Sequence, residues 1–516
     1  MGFASLKFIA FFLIVFALWY SFGGRLQGRL LLIANIVFYA ASGPRNLIYI
    51  GITALSTYFA ALAISNIYSD GDDQLAARKA ELSKEDRKAL KASFKSRAKR
   101  VMVSCIALNI GILAAVKYSR MVVRTVPSWL IAPLAVSFYT FMAVAYLVDV
   151  YWRRYEAECS LWRFLSFITF FPQLIQGPIS RFSDLSKTLY GKHEWDGRGV
   201  SCGALRVIWG YVKKLIVADR LAIALRTISS DAAGYRGAYV FLLILIYAVQ
   251  LYADFTGGID ITIGLSRMLG IKVAENFNRP YFSKSTAEYW RRWHISMGSW
   301  FRDYVFYPLY TSRFMTGLSR KLKDAGHPAA AQRTTMWLCT LLLWALTGLW
   351  HGASMNFVVW GLLNGLIILA SQELAPLYKR FHERFPGAAN NTAYKAFCCL
   401  RTFMLMAAIN VLDVYPGSGS ALGQLLSVFG ASNWGEAFAA APSSLGLMPH
   451  DWIVVFIGVI LMLLFSLRER KRDNFGDLSE SGTLAFAAGG LMVLAILVFG
   501  IYGIGFDASQ FIYNQF

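Results

Sequence analysis

The sequence predicts an all-α, polytopic membrane protein. Three observations predict it. Apolar residues make up 56% of the 516 residues and charged ones only 16%, against roughly 25% charged in a soluble domain. The apolar residues gather into runs, several of them near the roughly 20 residues of helix that a hydrocarbon core requires. The basic residues, which set a net charge of +21, lie mainly in short stretches between those runs, as the positive-inside rule describes. A nucleic-acid-binding face would not be divided in this way. No linker-like stretch separates folded blocks, so 1–516 reads as a single membrane-embedded domain. Abundant glycine (42 residues) and tryptophan (15) suit close helix packing and interfacial anchoring.

Taken in order, the candidate spans are about 6–22, 30–42, 47–68, 101–118, 129–151, 160–177, 203–225, 237–256, 258–271, 335–350, 355–372, 395–412, 452–467 and 484–503. Several are short or broken, so eleven to thirteen crossings are expected, with re-entrant or interfacial helices between them. The first run, Leu6–Phe22, has a thin positive region and no obvious small-residue cleavage site. It reads as a retained transmembrane helix.

Charge sets the orientation. The segment 69–100 carries ten Lys and Arg between Arg78 and Arg100 and reads as a cytoplasmic loop that can form an amphipathic surface helix. Three spans precede it, which puts the N-terminus outside. No Lys or Arg falls between Thr402 and Leu467, so 413–450 reads as an external loop, and Arg468-Glu-Arg-Lys-Arg472 returns the chain to the cytoplasm. Basic stretches also flank 335–372, so Gly348-Leu-Trp-His-Gly-Ala353 becomes the turn of a membrane hairpin. The central stretch 155–335 is interrupted by Pro, Gly and charge. Irregular backbone at membrane depth is tolerated only inside protein or along a water-filled cavity.

Few side chains there can do chemistry. Of six histidines, His193, His327, His382 and His450 fall in polar or basic loops. His294 and His351 each follow a tryptophan inside an apolar or aromatic stretch. A histidine within a membrane segment is costly and points to function, although one tying two helices together would look the same. A neutral imidazole in a water-poor pocket can take a proton from a hydroxyl near neutral pH. His294 lies in Tyr289-Trp-Arg-Arg-Trp-His-Ile-Ser296, where helical spacing would put Trp290 and His294 on one face. Arg291, Arg292, Trp290 and Trp293 either anchor at lipid headgroups or line the path of a phosphate-bearing donor. Asp254 and Asp260 are intramembrane carboxylates, and Asp149 is placed for a helical ion pair with Arg153. The six cysteines show no metal-ligand spacing, so no metal site is expected. No phosphate loop, serine elbow or HExxH occurs.

At these residues the chain resembles the membrane-bound O-acyltransferase (MBOAT) family. The resemblance rests on Gly348-Leu-Trp-His-Gly-Ala-Ser354, Tyr289-Trp-Arg-Arg-Trp-His-Ile-Ser296 and Phe170-Phe-Pro-Gln-Leu-Ile-Gln-Gly-Pro-Ile179. Ser137-Phe-Tyr-Thr-Phe141, Asp254-Phe-Thr-Gly-Gly-Ile-Asp260 and Glu275-Asn-Phe-Asn-Arg-Pro-Tyr281 fit the same pattern. It is similar above all to the bacterial branch of alginate O-acetylation and teichoic-acid D-alanylation membrane proteins, and covers about 130–370, which would be the catalytic core. The pattern often has a histidine where this chain has Asn364.

The resemblance implies a ring of helices around a tunnel from cytoplasm to exterior, in a bacterial cytoplasmic (inner) membrane. It implies His351 as the essential histidine and His294 as the second motif histidine; by the imidazole chemistry above, His351 would act as general base on an acceptor hydroxyl. Trp290, Arg291, Arg292, Trp293, Trp350, Asn364, Asp254 and Asp260 would line the donor path. No bound cofactor is implied; the donor would be acetyl-CoA or an acyl carrier protein thioester. The acceptor would be an extracellular or cell-wall polysaccharide, reached through an extracytoplasmic SGNH-type acetyltransferase partner, with membrane lipids around the chain. Two alternatives stay open: a lipid or protein acyltransferase using longer chains, and a glycan or lipid transporter.

Overall fold

The computed structural model describes residues 2–122, 127, 132–469 and 473–502. The described residues contain helices and no strand, and they divide into two compact units. One comprises residues 1–200 with 266–273, the other 201–265 with 274–516.

The first unit opens with α1 (Leu6–Ser21), α2 (Arg25–Ala40), α3 (Asn46–Ala77), α4 (Lys84–Val122) and α5 (Val136–Tyr151). Four short helices continue the chain: α6 (Leu161–Ile168), α7 (Phe171–Gln176), α8 (Phe182–Leu189), then α9 (Gly197–Tyr211), which runs into the second unit. Here the structure sharpens one expectation and corrects two. The segment 69–100 is helical, in line with its reading as a surface helix: α3 and α4 continue through it, leaving only the turn 78–83 between them. Its charged residues are good helix formers with no proline to stop them. The run 160–177 breaks into α6 and α7, with Pro172 in the first turn of α7, where a missing N–H costs nothing. Asp149 pairs with Arg154 at 2.9 Å, not with Arg153, which reaches Asp72 at the same distance. The helix ends at Tyr151, and Arg153, at φ 58°, turns the chain back. His193 is half-buried within its loop. Its ring lies 5.4 Å from that of Trp19, and its backbone bonds Gln27 in both directions.

The second unit continues through a π-helical stretch, Val212–Ala218, into α10 (Asp219–Ser230) and α11 (Ala238–Met268). The two spans expected at 237–256 and 258–271 are therefore one helix, with Gly257 inside it against the backbone of Gly210. After α11 come α12 (Thr286–Arg292), α13 (Ile295–Phe301), α14 (Tyr307–Tyr310) and α15 (Arg313–Asp324). The hairpin α16 (Pro328–His351) and α17 (Met355–Glu373) follows, turning at the expected Gly-Leu-Trp-His-Gly-Ala. The chain then runs through α18 (Ala375–Arg384), α19 (Thr392–Ile409), α20 (Ser418–Ser427), α21 (Trp434–Ser444), α22 (Pro449–Arg468), α23 (Asn474–Leu478) and α24 (Gly482–Phe499). The segment 413–450 thus holds two helices. Residues 129–131, at the start of an expected span, and 470–472, most of the basic return, lie outside the described residues.

Among the described residues seven helices are long and apolar enough to cross a membrane: α3, α4, α11, α17, α19 with its extension to Asp413, α22 and α24. Three shorter apolar helices, α1, α2 and α5, accompany them. Large apolar residues stay exposed on the outermost of these, including Ile453, Phe456 and Leu464 on α22 and Leu491 and Leu494 on α24. Lipid is the solvent such a face needs, because between helices in a bilayer it is close packing that holds, not the expulsion of water. The α16–α17 hairpin illustrates this. A Cβ on Gly348 would lie 2.1 Å from the carbonyl oxygen of Phe357, and one on Gly361 2.2 Å from that of Trp344. Only glycine lets the two backbones meet so closely. This crossing holds His351, at the last turn of α16, beside α17.

Candidate active site

Two histidines come together in the second unit. His351 is half-buried at the C-terminal end of α16. Its ring is 4.8 Å from Trp350 and 4.6 Å from Trp360, edge to face, and 6.5 Å from Phe357 in a nearly parallel arrangement. His294 is wholly buried, its ring 5.9 Å from that of Trp350 and 5.0 Å from that of Phe255. Trp350 is thus a ring neighbour of both imidazoles.

The helical reading of 289–296 does not hold. Helix α12 stops at Arg292, Trp293 is extended and His294 sits at φ 47° before α13 begins. Trp290 and His294 are thus not stacked on one helix face. The chain leaves the helix because a distant segment offers better partners. Asn278 donates to the carbonyl of Arg292 at 2.9 Å, and Ile295 donates to that of Asn276 at 2.9 Å. A positive φ outside glycine costs roughly 1–2 kcal/mol, and such strain collects at sites where geometry matters.

Asn276 also fixes the histidine's protonation pattern. Its Oδ1 accepts from the Ser296 backbone N–H at 3.0 Å and from the Ser296 hydroxyl at 2.9 Å. The same atom faces His294 Nδ1 at 3.3 Å, so Nδ1 must donate. Nε2 of the neutral ring is then the basic nitrogen. His294 lies outside the seven spans. Burial, and after it the proximity of His351, hold its pKa well below the usual imidazole value, so the ring stays neutral.

Tryptophans wall the chamber. Trp290 packs edge-to-face against Trp344 at 4.7 Å and Trp360 at 5.7 Å. Asn364 ties this wall together: its Oδ1 accepts from Trp290 Nε1 at 3.2 Å, while its Nδ2 donates to the carbonyl of Trp360 at 2.9 Å. Trp360 in turn donates to Asn410 Oδ1 at 3.1 Å. Trp293 is buried and stacks on Tyr289 at 5.6 Å. Arg292 is engaged by Glu288 at 2.6 Å, and Arg291 is exposed.

Asp254 and Asp260 lie in a different part of the unit, one of dense charge. Lys214 bridges Asp254 at 2.5 Å and Asp219 at 2.8 Å. Lys213 contacts Asp260, which also receives Arg206 at 2.9 Å, and Arg206 reaches on to Glu275 at 2.6 Å. The wide turn of the π-helix sets the two consecutive lysines against α11. Asp260 lines a cavity of about 280 Å³ with Arg206, Lys213, Thr256, Glu275 and Glu469. Sequence reading named the two carboxylates but not Lys213 and Lys214, although two lysines inside an apolar run were the signal. It quoted Asn276 within a motif without seeing its role. Among the described residues no cluster of three His, Cys, Asp or Glu is placed to hold a metal.

The fold and this pair of histidines define a class. The chain belongs to the MBOAT, membrane-bound O-acyltransferase, family, whose model matches residues 156–323. Relatives extend the likeness. It is 32% identical over 391 residues to a Pseudomonas aeruginosa protein named "Probable alginate O-acetylase AlgI", covering 72% of this chain and 66% of that one. A Pseudomonas putida protein of the same name is 30% identical over 397 residues, covering 72% and 71%. A Helicobacter pylori "Peptidoglycan O-acetyltransferase" is 29% identical over 283 residues, half of each chain. The chain thus spans just under two thirds of the length of the first of these relatives.

Proposed function

We propose that this protein is a membrane O-acyltransferase that moves an acetyl group from a cytoplasmic thioester, acetyl-CoA or an acyl carrier protein, to a hydroxyl outside. The final acceptor is an extracellular or cell-wall polysaccharide, the membrane is the bacterial inner membrane, and an extracytoplasmic SGNH-type acetyltransferase relays the group. What supports this reading most is the pair of motif histidines neighbouring one ring, Trp350, at 5.9 and 4.8 Å. The names of the relatives supply the acetyl group and the polymer class.

In this reading His351 is the general base. The acceptor oxygen attacks the thioester carbonyl carbon as His351 takes the hydroxyl proton. A C–O bond forms, the C–S bond breaks, and the leaving thiolate takes the proton back from the imidazolium. The transient charge falls on His351 because it is only half-buried, whereas His294 is wholly enclosed and a buried cation is far more costly. His294 presents its basic Nε2 and positions by hydrogen bonding. The tryptophan walls exclude water that would otherwise hydrolyse the thioester, and holding both reactants together supplies the remaining rate.

The test is to incubate detergent-purified protein with labelled acetyl-CoA, a long-chain acyl-CoA and an acetylated carrier protein, each with a hydroxyl acceptor. Acetyl transfer from either acetyl donor is the expected result. Preference for the long chain moves the protein to lipid or protein acylation. No turnover with any donor, together with movement of a glycan or lipid across proteoliposomes, replaces the reading with transport.

A further inference from the structure

The first unit contains a cavity that the chemistry above does not use. It measures about 640 Å³ and is lined by Gly24, Gly28, Arg29, Trp162, Arg163, Tyr190 and Lys192, among others. That is within the roughly 300–1,000 Å³ of small-molecule sites. Its charge has one sign. Lys192 is matched by Glu194 at 2.7 Å, but no described carboxylate forms an ion pair with Arg29 or Arg163. The Arg163 guanidinium instead lies over the rings of Trp162 and Tyr190, 5.5 Å from each centroid. This holds the cation in place without neutralising it. Nearby cations of the same unit are paired: Arg153 with Asp72 and Arg154 with Asp149.

Successive helices joined by short turns run antiparallel, so the α1–α2 turn lies at the same end as the C-terminal end of α3. That end carries the basic residues beginning at Arg78, which the positive-inside rule places in the cytoplasm. Beside the cavity, Phe22 and Leu26 are exposed, 42% and 51%, and Ile33 continues the apolar lane at 59%. A headgroup in the cavity would have its acyl chains on that lane.

We propose that this cavity binds the phosphate of an anionic phospholipid of the cytoplasmic leaflet, with Arg29 and Arg163 as its cationic partners. Basic pockets at helix ends on this face are suited to such headgroups. The apolar lane distinguishes a lipid from a free phosphate, which shares the same anion chemistry but gains nothing from Phe22 and Leu26.

The experiment uses the full chain in detergent and follows its thermal midpoint as phosphatidylglycerol, phosphatidylcholine or inorganic phosphate is added. Phosphatidylglycerol should stabilise the wild type more than phosphatidylcholine does. Its apparent affinity should fall roughly thirty-fold in the Arg29→Gln, Arg163→Gln double variant, while Arg78→Gln with Lys79→Gln leaves it unchanged. Added sodium chloride should weaken the effect in the wild type, a readout that needs no variant. The proposal is overturned if both lipids act equally, if the double variant binds like wild type, if the control pair loses as much, or if inorganic phosphate alone gives the full shift.

Discussion

Two parts of the second unit treat buried polarity in opposite ways. Around the π-helix, Lys213, Lys214 and Arg206 are set against Asp254, Asp219, Asp260 and Glu275 in direct ion pairs. In the histidine chamber His294 is held neutral and both rings are surrounded by aromatic faces and amides. Charge buried against charge resists change, because removing one partner strands the other. A half-buried imidazole such as His351 can gain and lose a proton at lower cost than the enclosed His294. In the proposed function the first arrangement is therefore framework and the second machinery, although both are built from residues unusual in apolar surroundings.

The sharpest way to break this distinction is to disturb the framework. Lys214→Met leaves Asp254 and Asp219 buried and should destabilise the protein by about 3–5 kcal/mol, read as a lower thermal midpoint. Adding Asp254→Leu should recover part of the loss. A folded Lys214→Met protein with unchanged stability but no activity would move these residues into the machinery. Next in size is Gly361→Val, whose Cβ meets the Trp344 carbonyl. Backbone cannot move aside as a side chain can, so a loss of about 3 kcal/mol is expected, with transfer falling alongside folded protein.

Asn276→Ala reaches into the chamber. It removes the acceptor that fixes the His294 tautomer and the exit from α12. We expect transfer to fall about 10–100-fold, or 1.4–2.7 kcal/mol, with a smaller loss of stability of about 1–2 kcal/mol. A purely structural Asn276 would lower both equally. Smallest is Trp290→Phe, which keeps a ring against Trp344 but gives up the bond to Asn364. Its expected cost is about 1 kcal/mol, visible as a modest rise in KM or fall in kcat.

Much of the framework was legible because it is local. Apolar runs announced most helices, and the glycines of the 348–353 turn marked the hairpin that carries His351. What escaped was set by partners far along the chain. The break at Trp293 and His294 depends on residues 276–278, and helical spacing alone could not foresee it. The partners of Asp254 and Asp260 lie 40 and 47 residues away on the π-helix. Asp149 found Arg154 because the helix ended at Tyr151, two residues short of Arg153. The histidines were found because their motifs are distinctive. Asn364, read as lining the donor path or tunnel, also has its amide engaged by two tryptophans, a tie its position in an apolar helix did not reveal.

The central claim is that His351 takes the proton of the acceptor. The most direct test is acetyl transfer by His351→Ala protein whose thermal midpoint matches the wild type, with donor binding measured in parallel. General-base catalysis of this kind contributes roughly 10²–10⁴-fold, so transfer should fall by that factor while the thioester still binds. Transfer at the wild-type rate by the folded variant would contradict the account and leave His351 as a packing residue of the α16–α17 hairpin.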